Sequence, residues 1–143
     1  RFRETILTNG IRVIDDSYNA NPVSFENALT AFKSLPGSGK KILVFADMRE
    51  LGPEEKRFHC ELGENIVASG ADLALAYGPL TRNSIDAVRG RIDARHFEDS
   101  AEALKSLREF VRPGDIVLFK GSRSMHVEKV LDGIRNIIFL SQT

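Results

Sequence analysis

Lys41-Ile42-Leu43-Val44-Phe45-Ala46, followed at once by Asp47-Met48-Arg49-Glu50-Leu51-Gly52, is the stretch that decides the fold. An apolar run with no polar face is how a strand reads when helices cover both sides of a parallel sheet. The polar run behind it then reads as the loop leaving the carboxyl end of that strand. Gly52-Pro53 opens a helix in which Phe58, Leu62 and Ile66 recur every four residues, one buried stripe of a 3.6-residue period. Glu54 and Glu55 fall in the first turn, where the helix dipole favours negative charge, and Gly70 closes the run.

The same alternation extends in both directions. Upstream, apolar segments at 5–7 and 11–14 flank Asn9-Gly10, a pair whose tolerance of positive φ suits a two-residue type I′ hairpin turn. After Asn21-Pro22, the residues Phe25, Ala28, Leu29, Phe32 and Leu35 have helical spacing, and Pro36-Gly37 ends the run. Downstream, strands are predicted at 73–77 and 94–97 with a short helix at 81–88 between them. Ser100 is placed to cap a helix carrying Ala101, Leu104, Leu107 and Phe110; Arg112-Pro113-Gly114 then turns the chain into a strand at 116–119. Gly121-Ser122 leads to a last helix bearing Val127, Val130, Leu131, Ile134 and Ile138. The sum is a Rossmann-like three-layer α/β domain, a mostly parallel sheet with helices on both faces and an N-terminal β-hairpin.

A chain of 143 residues, 42% hydrophobic and 28% charged, has the size of one globular domain with a real core. Twenty basic side chains balance twenty acidic ones, so no global field argues for nucleic acid, and an anion has to be bound by local geometry. Cys60 stands alone, which rules out an internal disulfide and suits the cytoplasm. No apolar run approaches the roughly 20 residues that span a bilayer, so no membrane insertion is expected. Arg1-Phe2-Arg3-Glu4 lacks a signal peptide's apolar stretch and reads like the start of an excised piece.

Ligands of such folds bind at the loops leaving the carboxyl ends of the strands. Three polar clusters occupy such places: residues 15–22 (Asp-Asp-Ser-Tyr-Asn-Ala-Asn-Pro), residues 47–52, and Lys120-Gly121-Ser122-Arg123-Ser124. Each could merely cap a helix, through Asn21, through Gly52 before Pro53, or through Ser122 or Ser124. The first, however, packs two carboxylates, an aromatic ring and two carboxamides into eight residues. That chemistry suits a nucleoside: a carboxylate for ribose hydroxyls, a ring for the base, carboxamides for polar base edges. Gly37-Ser38-Gly39-Lys40-Lys41 mimics a phosphate loop, but Ser34 replaces the first glycine, Lys41 the metal-binding hydroxyl residue, and the run precedes a strand. His59-Cys60, His96 and His126 have no metal-site spacing and read as a helix-borne pair plus isolated surface or edge residues.

In order and spacing, the three clusters resemble the C-terminal domain of the Mur ligase family, in the branch that adds D-alanyl-D-alanine to UDP-N-acetylmuramoyl-tripeptide. Ala46 stands where that family usually has Gly before the Asp-Met pair. The resemblance covers residues 1–143 and implies a three-domain, ADP-forming ligase that acts through an acyl phosphate. ATP and Mg2+ would be gripped by a central domain and the UDP-sugar by an N-terminal one, both outside this chain. By position, Asp16 would bind ribose, with Tyr18, Asn19 and Asn21 shaping the nucleoside pocket. Arg1 would reach ATP phosphate on domain closure, and Asp47, Lys120, Ser122 and Arg123 would line the entry of D-alanyl-D-alanine. The domain alone is then expected to be inactive. A reading from another class is a free-standing nucleotide-binding regulatory α/β module.

Overall fold

The stretch at 41–46 is a strand, β3 (Lys41–Ala46), set inside a six-stranded sheet of the computed structural model, which describes residues 2–140. Before it come β1 (Glu4–Ile6), β2 (Arg12–Asp16) and α1 (Pro22–Ser34). After it come α2 (Glu55–Ala68), β4 (Leu73–Tyr77), α3 (Thr81–Val88), β5 (Asp93–Phe97), α4 (Ser100–Phe110), β6 (Ile116–Lys120) and α5 (Glu128–Ile134). Single 3-10 turns, Gly52–Glu54 and Arg123–Met125, precede α2 and α5. The strand order is β1-β2-β6-β3-β4-β5, parallel throughout except for the β1-β2 hairpin.

Period-two alternation sorts each strand between two cores. Leu43 and Phe45 face α1 and α2 together with Phe25, Phe32, Leu62 and Ile66, whereas Ile42 and Val44 face α4 and α5 with Leu107, Val130 and Ile134. Phe25 meets Phe45 edge to face, centroids 5.9 Å apart. Burying a side chain of this kind contributes about 1.5–3 kcal/mol. Asn21 caps α1: its side chain accepts from the Ser24 amide (2.9 Å) while the Ser24 hydroxyl accepts from the Asn21 amide (3.1 Å).

Three local expectations change. The hairpin closes through Thr8-Asn9-Gly10, because the Leu7 amide donates to the Ile11 carbonyl and the Gly10 amide to the Leu7 carbonyl. Only Gly10 of this loop has positive φ (89°), the pattern of a type I turn followed by a bulge glycine. Asn9 keeps ordinary backbone geometry and spends its amide nitrogen on the carbonyls of Ile134 and Ile137 at the far end of the chain. The last helix stops at Ile134, and Ile138 beyond it is 86% exposed. The cap of α4 is Asp99, which accepts from the Glu102 amide, with Ser100 already inside the helix.

Candidate functional site at the carboxyl edge of β2, β6 and β3

The loops after β2 and β3 feed helices on one face of the sheet, and the loop after β6 feeds α5 on the other. Adjacent strands whose loops diverge in this way open a crevice between them. The loops of β3 and β6 are joined by two hydrogen bonds: the Ser122 amide donates to the Asp47 carbonyl (3.0 Å), and the Arg49 amide donates to Ser122 Oγ (2.7 Å). The Met48 amide donates to Nε2 of fully buried His59 (3.0 Å), which assigns the ring proton to Nδ1, 2.7 Å from the Glu55 carbonyl. The Tyr77 hydroxyl donates to the Met125 carbonyl (2.5 Å) and fixes the turn after β6. Burial, with added repulsion from Glu128 and Asp47, raises the Tyr77 phenol above its ordinary range and keeps it a donor.

Over this floor lies a cleft of about 620 Å³. Asn19, Ser122, Arg123 and Ser124 line it, as the clusters lead one to expect; Arg49, Glu50 and His126 line it as well. Among the described residues, the non-glycine positions with positive φ are Glu50 (62°) and His126 (54°), both on this cleft. Such conformations cost on the order of 1–3 kcal/mol and gather where a chain must turn sharply beside a ligand surface. Arg49 and Glu50 lie within the second cluster, which was their signal. Nothing in the sequence singles out His126, because its place depends on the turn fixed by Tyr77.

The remaining candidates sit differently. Asp16 and Lys120 are opposite each other in the β2-β6 register, and Lys120 shares the parity of Ile116 and Leu118, which points it beneath α1. Its ammonium is 2.8 Å from Asp16 Oδ2, 3.1 Å from the Asn19 carbonyl and 5.8 Å from the Phe25 ring centroid; the residue is 1% exposed. Asp47 is fully buried, and its Oδ1 accepts from the amides of Leu80 and Thr81, each at 3.0 Å, at the start of α3. Gly78 packs so tightly on it that a Cβ there would lie 2.4 Å from Oδ1. Asp47 Oδ2 is buried without a hydrogen-bond partner, 3.7 Å from the Arg49 guanidinium.

Neither Asp47 nor Lys120 lines the cleft, and both are buried. Asn21 is committed to its cap. Tyr18 is 69% exposed, with the Arg123 guanidinium 5.1 Å from its ring centroid. Ser122 does not cap the last helix; its Oγ serves Arg49. Arg1 lies outside the described residues. Ala46 is buried, and a Cβ on Gly121 would lie 3.2 Å from its Cβ and 2.7 Å from Val127 Cγ2, so this alanine faces a neighbouring strand end instead of the cleft. The glycine-lysine run at 37–41 lies at the opposite edge, with the Lys40 amide bonded to Asp115 Oδ1 (2.9 Å) and Gly39 pressed against the Gly114 carbonyl.

The family model described as Mur ligase, glutamate ligase domain matches residues 1–123. This chain belongs to that Mur ligase domain family. UDP-N-acetylmuramoyl-tripeptide--D-alanyl-D-alanine ligase of Bacillus subtilis (strain 168) is 36% identical over 132 residues, 90% of this chain and 29% of the relative. The Escherichia coli (strain K12) protein of the same name is 33% identical over 125 residues, 86% of this chain and 26% of its own. Among solved structures, MurF ligase from Thermotoga maritima in complex with ADP superposes with a TM-score of 0.78 at 33% identity, covering 94% of this chain and 30% of that one. MurF from Acinetobacter baumannii superposes at 0.84 with 27% identity, covering 96% and 30%. The Mur ligase domain described here thus spans under a third of the length of these relatives.

Proposed function

We propose that this domain is the C-terminal part of a cytoplasmic, ADP-forming ligase that joins D-alanyl-D-alanine to UDP-N-acetylmuramoyl-tripeptide, in peptidoglycan synthesis. The observation that supports it most is the meeting of all three polar clusters at one sheet edge, in a chain 36% and 33% identical to relatives of that name. In this reading the ATP phosphates and the UDP-sugar are held by central and N-terminal domains, and this domain closes over them. Asp16 accepts from the ribose, and Tyr18 and Asn19 border the nucleoside. Arg1 reaches phosphate in the closed form. Ser122 and Arg123, with Arg49 beside them, offer donors to the dipeptide carboxylate. Among the described residues no group of three or more His, Cys, Asp or Glu could hold a metal ion, and the Mg2+ that accompanies ATP is assigned to the central domain. No helix among those residues is long and apolar enough to cross a membrane.

The test compares the purified domain with the intact ligase. The intact enzyme should form the peptide bond and release ADP. The domain alone should do neither, and should bind ATP more weakly than micromolar, because the phosphate contacts that dominate nucleotide affinity lie elsewhere. Micromolar or tighter ATP binding by the isolated domain would favour the regulatory-module reading instead.

A further inference from the structure

We infer that Lys120 is a positioning residue for the nucleotide side of the site, acting through Asp16 and the Asn19 carbonyl, and does not itself touch either substrate. The inference rests on the proposed Asp16-ribose contact and deepens it. It follows from where the strand puts the side chain. Lys120 closes β6 on the face shared by Ile116 and Leu118, the face that α1 covers, and its ammonium ends 5.8 Å from the Phe25 ring centroid. Only the ammonium remains polar, and it meets two acceptors on the β2-α1 loop: Asp16 Oδ2 at 2.8 Å and the Asn19 carbonyl at 3.1 Å.

Three features separate this arrangement from a surface ion pair. The Lys120 side chain is 2% exposed and that of Asp16 14%, so the carboxylate, and not the ammonium, is the member that a ligand can reach. The two residues are cross-strand neighbours in a parallel ladder, so the separation of their backbones is set by the sheet. The Asn19 carbonyl ties the same ammonium to the loop that carries Tyr18 and Asn19. A lysine has three N–H donors and no acceptor, so one cation fixes both where the carboxylate stands and how the following loop leaves the strand. Asp16 is thereby held in place before any ligand arrives, the condition under which an acceptor binds hydroxyls without first ordering itself. Lys120 belongs with the nucleoside although Ser122 and Arg123, two and three residues on, line the cleft and are the residues proposed for the dipeptide.

The experiment uses the intact ligase, with ATP and D-alanyl-D-alanine varied separately and 2′,3′-dideoxy-ATP as a probe of ribose recognition. Asp16→Asn, Lys120→Met and the double variant are compared with wild type. Lys120→Met should raise the KM for ATP about ten- to a hundredfold, the worth of one charge-assisted contact. The KM for the dipeptide should stay within about twofold, and the preference for ATP over the dideoxy analogue should fall as it does in Asp16→Asn. The double variant leaves no unpaired buried charge and so serves if Lys120→Met fails to fold. It should match Asp16→Asn in both ribose preference and dipeptide KM. A dipeptide KM that rises in either Lys120 variant overturns the inference, as does an unchanged ribose preference in Lys120→Met when Asp16→Asn has lost it. An unchanged preference in Asp16→Asn would instead sink the ribose assignment itself, and the inference with it.

Discussion

Replacing Asp47 by alanine is expected to unsettle the fold before it unsettles any chemistry. The carboxylate is fully buried, and its Oδ1 takes two amide protons, from Leu80 and Thr81, each at 3.0 Å. A hydrogen bond to a charged partner contributes about 1.5–3 kcal/mol, so two contribute about 3–6 kcal/mol. Against this stands the cost of keeping Oδ2 buried without a hydrogen-bond partner, about 1–3 kcal/mol that the alanine variant recovers. The expected net loss is about 2–3 kcal/mol, or roughly 6–10 °C in Tm for a chain of this size. Asp47→Asn keeps an acceptor at Oδ1 and should lose less than half as much. Urea unfolding of the purified domain measures both, with the slope against denaturant unchanged if only stability has altered. A side chain that waits in the cleft for a dipeptide amine predicts the opposite pattern, normal stability with impaired kinetics. Asp47→Ala within about 0.5 kcal/mol of wild type would refute the assignment of this residue to the loop.

Gly121→Ala should cost about 1–3 kcal/mol through overpacking, because the new methyl would meet Val127 Cγ2 at 2.7 Å and Ala46 at 3.2 Å; unfolding as stable as wild type would show that the β6 end shifts freely. Burial, aided by Glu128 and Asp47, raises the Tyr77 phenol in the folded chain. Stability should therefore be intact below the unfolded-chain value of about 10 and decline as pH rises past it. Tyr77→Phe should flatten that decline in unfolding measured at alkaline pH, and an unaltered slope would remove Tyr77 as its source. In the intact ligase, Arg1→Ala should lower turnover more than it raises the KM for ATP, since the proposed contact forms only on closure; unaltered turnover would reject that role.

What could be read from the sequence was whatever depends on neighbours a few residues apart. The runs at 41–46 and 73–77 are the observed β3 and β4, and the stripe Phe25, Ala28, Leu29, Phe32 is the buried face of α1. The hairpin turn departs from the type I′ expectation where Asn9, the residue expected at positive φ, is engaged by carbonyls 125 and 128 residues away. The last helix is shorter than its apolar spacing predicts: it ends at Ile134, Ile137 and Phe139 pack on the core from beyond the helix, and Ile138 is left exposed. The clusters do stand at the carboxyl ends of the strands, but Asp15 and Asp16 are still inside β2 and Lys120 inside β6, and the duties within them are not visible in the sequence. Lys120 looks like a turn residue until its partner across the ladder, 104 positions earlier, is known. Asp47 looks available until the segment from Gly78 to Thr81 folds over it.

The fastening of the β3 loop bears on how the domain can move. His59 holds the Met48 amide from α2, Ser122 holds the Arg49 amide from beyond β6, and Asp47 grips the head of α3. Three separate elements thus share one short segment, and displacing it means breaking hydrogen bonds on several sides at once. The loss of chain freedom at the cleft floor has already occurred on folding, so a ligand arriving there need supply little of it. Any swing that brings this surface over a bound nucleotide should then leave the interior of the domain unchanged, with the bending confined to backbone outside the segment from Asp47 to His126.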